Sequence, residues 1–346
     1  MLDDRKAAIL RAVVQEYIET AQPVASAHLA QTGRFGVSSA TVRNEMAALE
    51  REGFLAHPHT SAGRIPTDKG YRFFVDHITS GADAPGQRQS LRPAQRQQVH
   101  EFFTRAHGQL EQMLTDTSRL LSNLTRYAAV IVAPPHEDAV VRSVQIVGLG
   151  PRLALAVAVM SDGAVDKATI ELDLAVDDDL IASAAAVLNA SLRGTALVGM
   201  RPLSGTGDEV VDRLAEAARA AIAESHGNEC EQVFVGGAWQ MVATFDAVET
   251  VRQVLAILEQ QYVVVTVLRE ALLREVPGTD SISVAIGTEH GVRSLAECSL
   301  IVAPFDVDGA GAGTIGVLGP TRMNYREAMA AVAVVSERLG RKLSEA

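Results

Sequence analysis

The sequence has little of several features that define other classes of protein. Its 346 residues include only two cysteines, Cys230 and Cys298, which are too few for a disulfide framework or a cysteine-based metal cluster. No apolar run is longer than residues 153–160, which is too short to span a membrane. The N-terminal segment carries Asp3 and Asp4 and does not resemble a signal peptide. These absences predict a protein of the reducing cytoplasm that makes no membrane contact.

A surplus of basic residues is also missing. The formal net charge of −11 argues against a broadly basic surface that coats nucleic acid. Residues 1–76 hold nine Lys or Arg and nine Asp or Glu, so the whole acidic surplus lies in the rest of the chain. A neutral segment has little long-range attraction to phosphate, so any DNA binding by residues 1–76 would depend on a specific, dimeric site.

Residues 36–53 predict a helix with one buried and one slim polar face. Val42, Met46 and Leu49 recur at helical spacing and predict the buried face. Ser38 is the expected N-cap, and Gly53 is expected to end the helix in a left-handed conformation. The opposite face contains Ala40, Arg43, Asn44, Ala47 and Arg51. Arg can pair with guanine and Asn with adenine in the major groove, although a solvated helix face would show the same pattern.

The flanking segments favour DNA binding over a solvated face. Residues 5–20 have a helical apolar pattern, and a short segment after Pro23 leads to the helix just described, so the three predict a helix-turn-helix. Residues 54–57 and 64–66 predict two strands around a polar turn, which would form a wing. The predicted base contacts are Ala40, Arg43, Asn44 and Ala47. The predicted contacts to the DNA backbone are Ser39, Thr41, Thr60, Ser61 and Arg64.

These segments resemble the HrcA family of bacterial heat-inducible transcription repressors. The N-terminal residues that carry the resemblance are SSATVRNEMAALEREGFL and PHTSAGRIPTDKGYRFFVD. The C-terminal residues are Ile286-Gly287-Thr288-Glu289, CSLIVAPF and GTIGVLGPTRMNY. His290 stands where the family pattern has Asn, and residues 177–240 match only in general layout. The resemblance implies a winged helix-turn-helix followed by a GAF-like sheet domain that is interrupted by a dimerisation module.

The pattern after residue 78 predicts an α+β multidomain protein. Residues 93–127 carry a heptad stripe and predict one long helix, which could pair between subunits or, as is commoner, pack on its own domain. Four strands, at 128–133, 140–148, 153–160 and 164–172, are predicted to form an antiparallel meander, with Val165, Ala168 and Ile170 alternating in the last strand. Further helices are predicted at 177–192, 208–224, 247–261 and 325–343, and further strands at 232–236, 282–287, 299–303 and 314–318.

The expected domain division combines this pattern with the resemblance. It comprises a winged-helix domain at 1–78, a linker at 79–92, the first part of the GAF-like domain at 93–176, an inserted dimerisation module at 177–240 and the second part of the GAF-like domain at 241–346.

No constellation for catalysis, cofactor binding or metal binding is predicted. Residues 311–316 match G-x-G-x-x-G, but a strand follows them where a dinucleotide site needs a helix. His57 and His59 have no further ligand at metal-binding spacing, so packing of the wing explains them better. The acids at 177–179 suit the start of a helix.

The resemblance supplies the expected biology. The chain would repress heat-shock chaperone operons by binding double-stranded DNA at an inverted-repeat operator as a homodimer. A GroEL-type chaperonin would keep it active. The alternative is a regulator whose GAF-like domain senses a small molecule.

Overall fold

The structure is a computed structural model that combines helices with several antiparallel sheets. It describes residues 2–31, 36–58, 63–80, 91–105, 110–133, 140–161, 163, 165–172, 176–196, 203, 205–228, 232–245, 248–272, 282–307 and 311–345. The helices are α1 (Asp4–Thr20), α2 (Ser26–Gln31), α3 (Ser39–Arg51), α4 (Asp68–Thr79), α5 (Pro93–Arg105), α6 (Leu110–Thr125), α7 (Asp178–Leu192), α8 (Glu209–Asn228), α9 (Gln240–Thr244), α10 (Val248–Leu258), α11 (Gln261–Leu272) and α12 (Tyr325–Ser344). The strands are β1 (Leu55–Ala56), β2 (Ile65–Pro66), β3 (Ala128–Val132), β4 (Val141–Gly150), β5 (Leu153–Met160), β6 (Val165–Glu171), β7 (Val233–Gly236), β8 (Ser283–Ile286), β9 (Cys298–Val307) and β10 (Gly311–Pro320). The predicted α+β class is confirmed.

The N-terminal unit, residues 2–80, consists of α1 to α4 and the β1–β2 ladder. Helices α1, α2 and α3 enclose fully buried side chains such as Leu10, Val13 and Leu49. Strands β1 and β2 pair antiparallel, as predicted. The sequence did not indicate a further pairing, in which Val24 and Arg64 exchange two backbone hydrogen bonds of 2.9 and 3.0 Å. This bridge ties the segment before α2 to the hairpin.

Side-chain caps fix where the helices of this unit begin. Asp3 accepts a hydrogen bond of 2.8 Å from the backbone N–H of Lys6 and so caps α1. Thr67 accepts one of 3.2 Å from the backbone N–H of Gly70 and so caps α4. Each cap satisfies a donor that has no partner within its helix.

Residues 93–127 do not form one long helix, so that prediction is wrong. The amide of Gln95 in α5 donates to the backbone oxygen of Leu124 in α6 at 3.4 Å, whereas a continuous helix would separate these residues by roughly 40 Å. Helices α5 and α6 therefore run antiparallel. The stripe of Val99, Phe103 and Leu120 is buried as predicted, because a stripe buries equally well in two helices packed within one domain.

A five-stranded antiparallel sheet forms the centre of the body, which comprises residues 91–345. Its strand order is β7-β3-β10-β9-β8. Alternate residues of β3 serve two cores. Ala129 and Ile131 face the side covered by α6 and α12, while Ala128 and Val130 face the side covered by α10 and α11. Helix cover on both faces explains why β3 is apolar throughout. Helices α9 and α11 were not predicted.

The prediction of a four-strand meander is wrong in its first strand and in one of its alternating residues. Strands β4, β5 and β6 form a separate three-stranded sheet, whereas β3 joins the five-stranded sheet. Within β6, Val165 is exposed, and the inward face consists of Asp166, Ala168 and Ile170. The alternation had to pass through Asp166, because Val165 and Ala168 lie three residues apart and so cannot share a face.

Helices α7 and α8 cover one face of the three-stranded sheet and form a core of their own with it. Ala156, Leu188 and Ile222 are fully buried there. The domain limits given above stay a prediction. This packing groups β4, β5 and β6 with α7 and α8.

No single helix in the described ranges is long and apolar enough to cross a membrane. Residues 249–258 and 263–272 meet the length and composition limits only as a pair, and that pair is bent by 92°.

Candidate nucleic-acid interface

Helix α3 has well-defined ends, and both were predicted. Ser38 caps its start, where the hydroxyl oxygen accepts from the backbone N–H of Thr41 at 3.2 Å. Gly53 follows the last turn with φ of +80°. Its N–H donates to the oxygen of Glu50 at 3.0 Å, and the N–H of Phe54 donates to that of Leu49 at 2.9 Å. This pair of bonds is a Schellman motif, which needs a left-handed residue at the position of Gly53.

The face of α3 opposite its buried stripe lies at the protein surface. Ser39, Ala40, Arg43 and Asn44 are exposed, and Ala47 is half-buried. Within the described part of the chain, the side chains of Arg43 and Asn44 form no hydrogen bond with another residue. Their polar groups are therefore available to a partner molecule, as base contact requires.

Thr41 has a more structural position than the other predicted backbone contacts. Its side chain is half-buried, and its hydroxyl lies 3.0 Å from the hydroxyl of Ser38. Thr41 therefore takes part in the cap of α3, and Ser39, which is exposed in the same turn, is the freer donor. Thr60 and Ser61 lie outside the described residues, so their predicted backbone contacts stay predictions.

Arg64 holds the β1–β2 ladder against α3. Its Nε donates to Glu50 Oε2 at 2.8 Å, and its Nη1 donates to the backbone oxygen of Gly63 at 3.4 Å. About a quarter of the Arg64 side chain and a third of the Glu50 side chain are exposed, so the pair is partly shielded from water. The sequence predicted a phosphate contact for Arg64 and did not indicate this link to α3.

Gly63 allows the close approach of this ladder to the segment before α2. A Cβ atom at Gly63 would lie 2.7 Å from the carbonyl carbon of Pro23 and 2.8 Å from the backbone oxygen of Val24. Only glycine fits such a contact without a backbone shift. The Val24–Arg64 bridge therefore depends on Gly63.

A cleft of about 220 Å³ opens between α2, α3 and the ladder. Its walls are Val24, Ala25, Ser26, Arg43, Met46, His57, Gly63 and Arg64. His57 is exposed at its mouth, where the ring Nδ1 donates to the backbone oxygen of Pro58 at 2.6 Å. Among the described residues, no group of three or more His, Cys, Asp or Glu residues could hold a metal ion. His57 instead forms part of the wall of this cleft. No local pattern in the sequence predicts that Ser26 and His57 lie beside Arg43.

The G-x-G-x-x-G match has a packing role. Residues 311–316 lie within β10, which continues as a strand to Pro320. A Cβ atom at Gly313 would lie 2.2 Å from the ring of Phe305, and one at Gly316 would lie 2.7 Å from the oxygen of Ile301. These glycines let neighbouring strand residues approach the sheet closely.

Comparison with known proteins identifies the family. A family model described as the HrcA protein C terminal domain matches residues 111–329. The chain is 37% identical to the heat-inducible transcription repressor HrcA of Nocardia farcinica, over 99% of this chain and 97% of that protein. The chain belongs to the HrcA family. It is also 35% identical to the protein of that name from Pelotomaculum thermopropionicum, over 99% of this chain and 97% of the other.

Membership of the HrcA family confirms the resemblance found in the sequence. The relatives are named as repressors of transcription, which is a regulatory class and not an enzyme class. A crystal structure described as that of a hypothetical protein matches this fold with a TM-score of 0.68 at 22% identity. The match covers 100% of this chain and 99% of that chain, so the two share a fold.

Proposed function

We propose that this chain is a sequence-specific DNA-binding repressor and that its N-terminal unit is a winged helix-turn-helix. The observation that carries the proposal is the exposed face of α3, where the side chains of Arg43 and Asn44 have no hydrogen-bond partner among the described residues. Helices α1 and α2 support α3 from behind, and the β1–β2 ladder lies beside it, which is the arrangement in which a recognition helix enters the major groove. The names of the relatives support repression as the outcome of binding.

We propose the following contacts within this arrangement. Arg43 and Asn44 pair with base edges, and Ala40 and Ala47 keep that face slim enough for close approach or contact a thymine methyl group. Backbone contacts come from Ser39 and from Thr60 and Ser61, whose residue types suit this role. Arg64 adds a positive charge near the phosphates while its Nε stays bound to Glu50.

The protein is proposed to act as a homodimer on an inverted repeat. The face of the β4–β5–β6 sheet that points away from α7 and α8 carries exposed apolar side chains, namely Val147, Leu149, Leu153 and Val165. Val147 and Leu149 are 46% and 55% exposed, and an apolar face of this kind usually marks an association surface. A second copy would cover this face by two-fold symmetry, and that symmetry would place two copies of α3 on two half-sites.

The regulated genes are proposed to be heat-shock chaperone operons, with a GroEL-type chaperonin keeping the repressor active. The family name supports the link to heat. Strand β5 is uncharged and free of proline, so a body that opens on heating exposes a segment that aggregates readily. A chaperonin that recovers such molecules would raise the active fraction, and heat would draw it to other clients.

A binding experiment tests the proposal. The full-length protein is titrated against a promoter fragment with an inverted repeat, before and after heating, with and without chaperonin and ATP, while light scattering is recorded. We expect heat to remove binding together with soluble dimer, and chaperonin to restore both. Binding that is no tighter to the inverted repeat than to random DNA would refute the function. The ligand-sensing alternative has no comparable observation in its favour among the described residues, and native mass spectrometry of the purified protein tests it.

A further inference from the structure

A polar contact joins the N-terminal unit to the body, and Arg72 of α4 is at its centre. Its Nε donates to Glu289 Oε1 at 2.9 Å, and its Nη2 donates to Glu289 Oε2. The same Nη2 donates to the backbone oxygen of Val284 in β8 at 2.6 Å. One guanidinium group therefore binds both a carboxylate and a strand of the body, and two-point pairing of this kind fixes direction as well as distance.

A second contact lies one helical turn away on the same face of α4. Asp68 Oδ2 accepts hydrogen bonds from Thr288, at 3.2 Å from the backbone N–H and 3.3 Å from the hydroxyl. Gly287, with φ of +55°, lies against the carboxylate of Asp68. A Cβ atom there would come within 2.2 Å of Asp68 Oδ2. The turn at residues 287–290 thus fits closely against α4.

The turn itself is held in one conformation by the residue that binds Arg72. Glu289 Oε2 accepts a hydrogen bond of 2.9 Å from the backbone N–H of Ile286, which closes the turn at the end of β8. Burial alone would lower the pKa of Arg72, but the hydrogen bond and the charge of Glu289 outweigh it and raise that pKa. Each of the two side chains is only 25% exposed, so water screens their attraction less than at an open surface.

An aromatic contact supports the polar one from inside. The rings of Tyr71 in α4 and Tyr325 at the start of α12 are 6.0 Å apart. The Tyr325 hydroxyl donates to the backbone oxygen of Thr321 at 2.6 Å and lies 2.7 Å from the hydroxyl of Ser299. Tyr325 is therefore fixed within the body, and its ring offers Tyr71 a rigid surface.

We propose that Arg72 and Glu289 are positioning residues, which fix the direction of each DNA-binding unit on the body and thereby set the half-site spacing that the dimer recognises. This inference rests on the proposed function. The charge-neutral N-terminal unit has little long-range attraction to DNA, so tight binding needs both copies of α3 to meet their half-sites together. A fixed joint raises the effective concentration of the second unit at one spacing and lowers it at all others.

The experiment measures binding of the full-length protein to a half-site, to the inverted repeat and to repeats whose spacer is lengthened or shortened by single base pairs. Arg72→Gln removes the pair. Gly287→Ala forces the turn away from Asp68 without removing a charge. Arg341→Gln is the control, because Arg341 pairs with Glu337 at 2.7 Å on the exposed side of α12, away from the joint.

We expect Arg72→Gln to keep half-site affinity and the dimer, to lose about tenfold to a hundredfold in affinity for the inverted repeat, and to accept several spacers equally. The Gly287→Ala variant should show the same losses as Arg72→Gln. The Arg341→Gln variant should bind all three kinds of DNA as the natural chain does. Arg72→Lys, which keeps the positive charge without the two-point pairing, should retain part of the spacing preference.

Two results would overturn the inference while leaving the proposed function intact. One is an unchanged spacing preference in Arg72→Gln. The other is an equal loss of half-site and inverted-repeat affinity, which would mean that Arg72 only supports folding. If the natural chain binds every inverted repeat no more tightly than random DNA, the proposed function is refuted as well.

Discussion

The most direct prediction concerns Arg43→Ala. The Arg43 side chain is exposed and forms no hydrogen bond with another described residue, so its removal should change the free energy of unfolding by no more than about 0.5 kcal/mol. A two-point contact between arginine and guanine contributes about 1–3 kcal/mol of discrimination. A dimer has two such contacts, so the total is about 2–6 kcal/mol, or about 30-fold to about 10⁴-fold in affinity for the operator.

The assay is fluorescence anisotropy with operators that carry each base substitution in turn. The Arg43→Ala variant should bind operators with any of the four bases equally well at one position of each half-site. The matched control is Arg51→Ala, which removes the same charge from the last turn of the same helix. The Arg51→Ala variant should lose the same factor in affinity for every operator variant, so its base preference should stay unchanged. If Arg43→Ala keeps the full base preference of the natural chain, then α3 is not the recognition helix.

Three further predictions follow from the N-terminal unit and the three-stranded sheet. Arg64→Ala should weaken binding to all DNA sequences alike and lower the free energy of unfolding by about 1 kcal/mol. Glu50→Ala leaves the cation in place and should therefore lower mainly the free energy of unfolding. Anisotropy measures the change in DNA binding, and urea titration measures the change in stability. Gly63→Ala should destabilise the protein by about 1–3 kcal/mol in urea, because its Cβ would overlap the backbone of Pro23, and an unchanged midpoint would contradict the close approach. Val157→Asp, on the outer face of β5, should yield a folded monomer with half-site affinity only, measured by light scattering after gel filtration; a dimer that persists would place the interface elsewhere.

The ends of helices were easier to predict from the sequence than the pairing of strands that lie far apart in the chain. Both ends of α3 followed from Ser38 and Gly53, because caps and left-handed ends depend on residues close in sequence. The pairing of β3 with β10 could not be predicted, because strands adjacent in the chain usually pair with each other and nothing local distinguishes β3 from its successors.

The candidate site divides in the same way. The slim face of α3 was visible in the helical period, since exposure on a helix follows from spacing alone. The Arg64–Glu50 pair, the Val24–Arg64 bridge and the place of His57 in the cleft were not, because each depends on how separate segments fold onto α3. The contact of Arg72 with Glu289 joins two of the motifs that resemble the family, although they are far apart in the chain.

The pairing of β3 with β10 also affects the newly made chain. Strand β3 leaves the ribosome long before β10 and β9, which complete its sheet. At about 5–20 residues per second, roughly 10–40 s of synthesis separate the two ends of this sheet. During that interval β3 lacks β10 beside it, and the face that carries Ala128 and Val130 stays uncovered until α10 and α11 have been made. The delay recurs with every molecule made, so aggregation of the incomplete chain competes with folding even without heat.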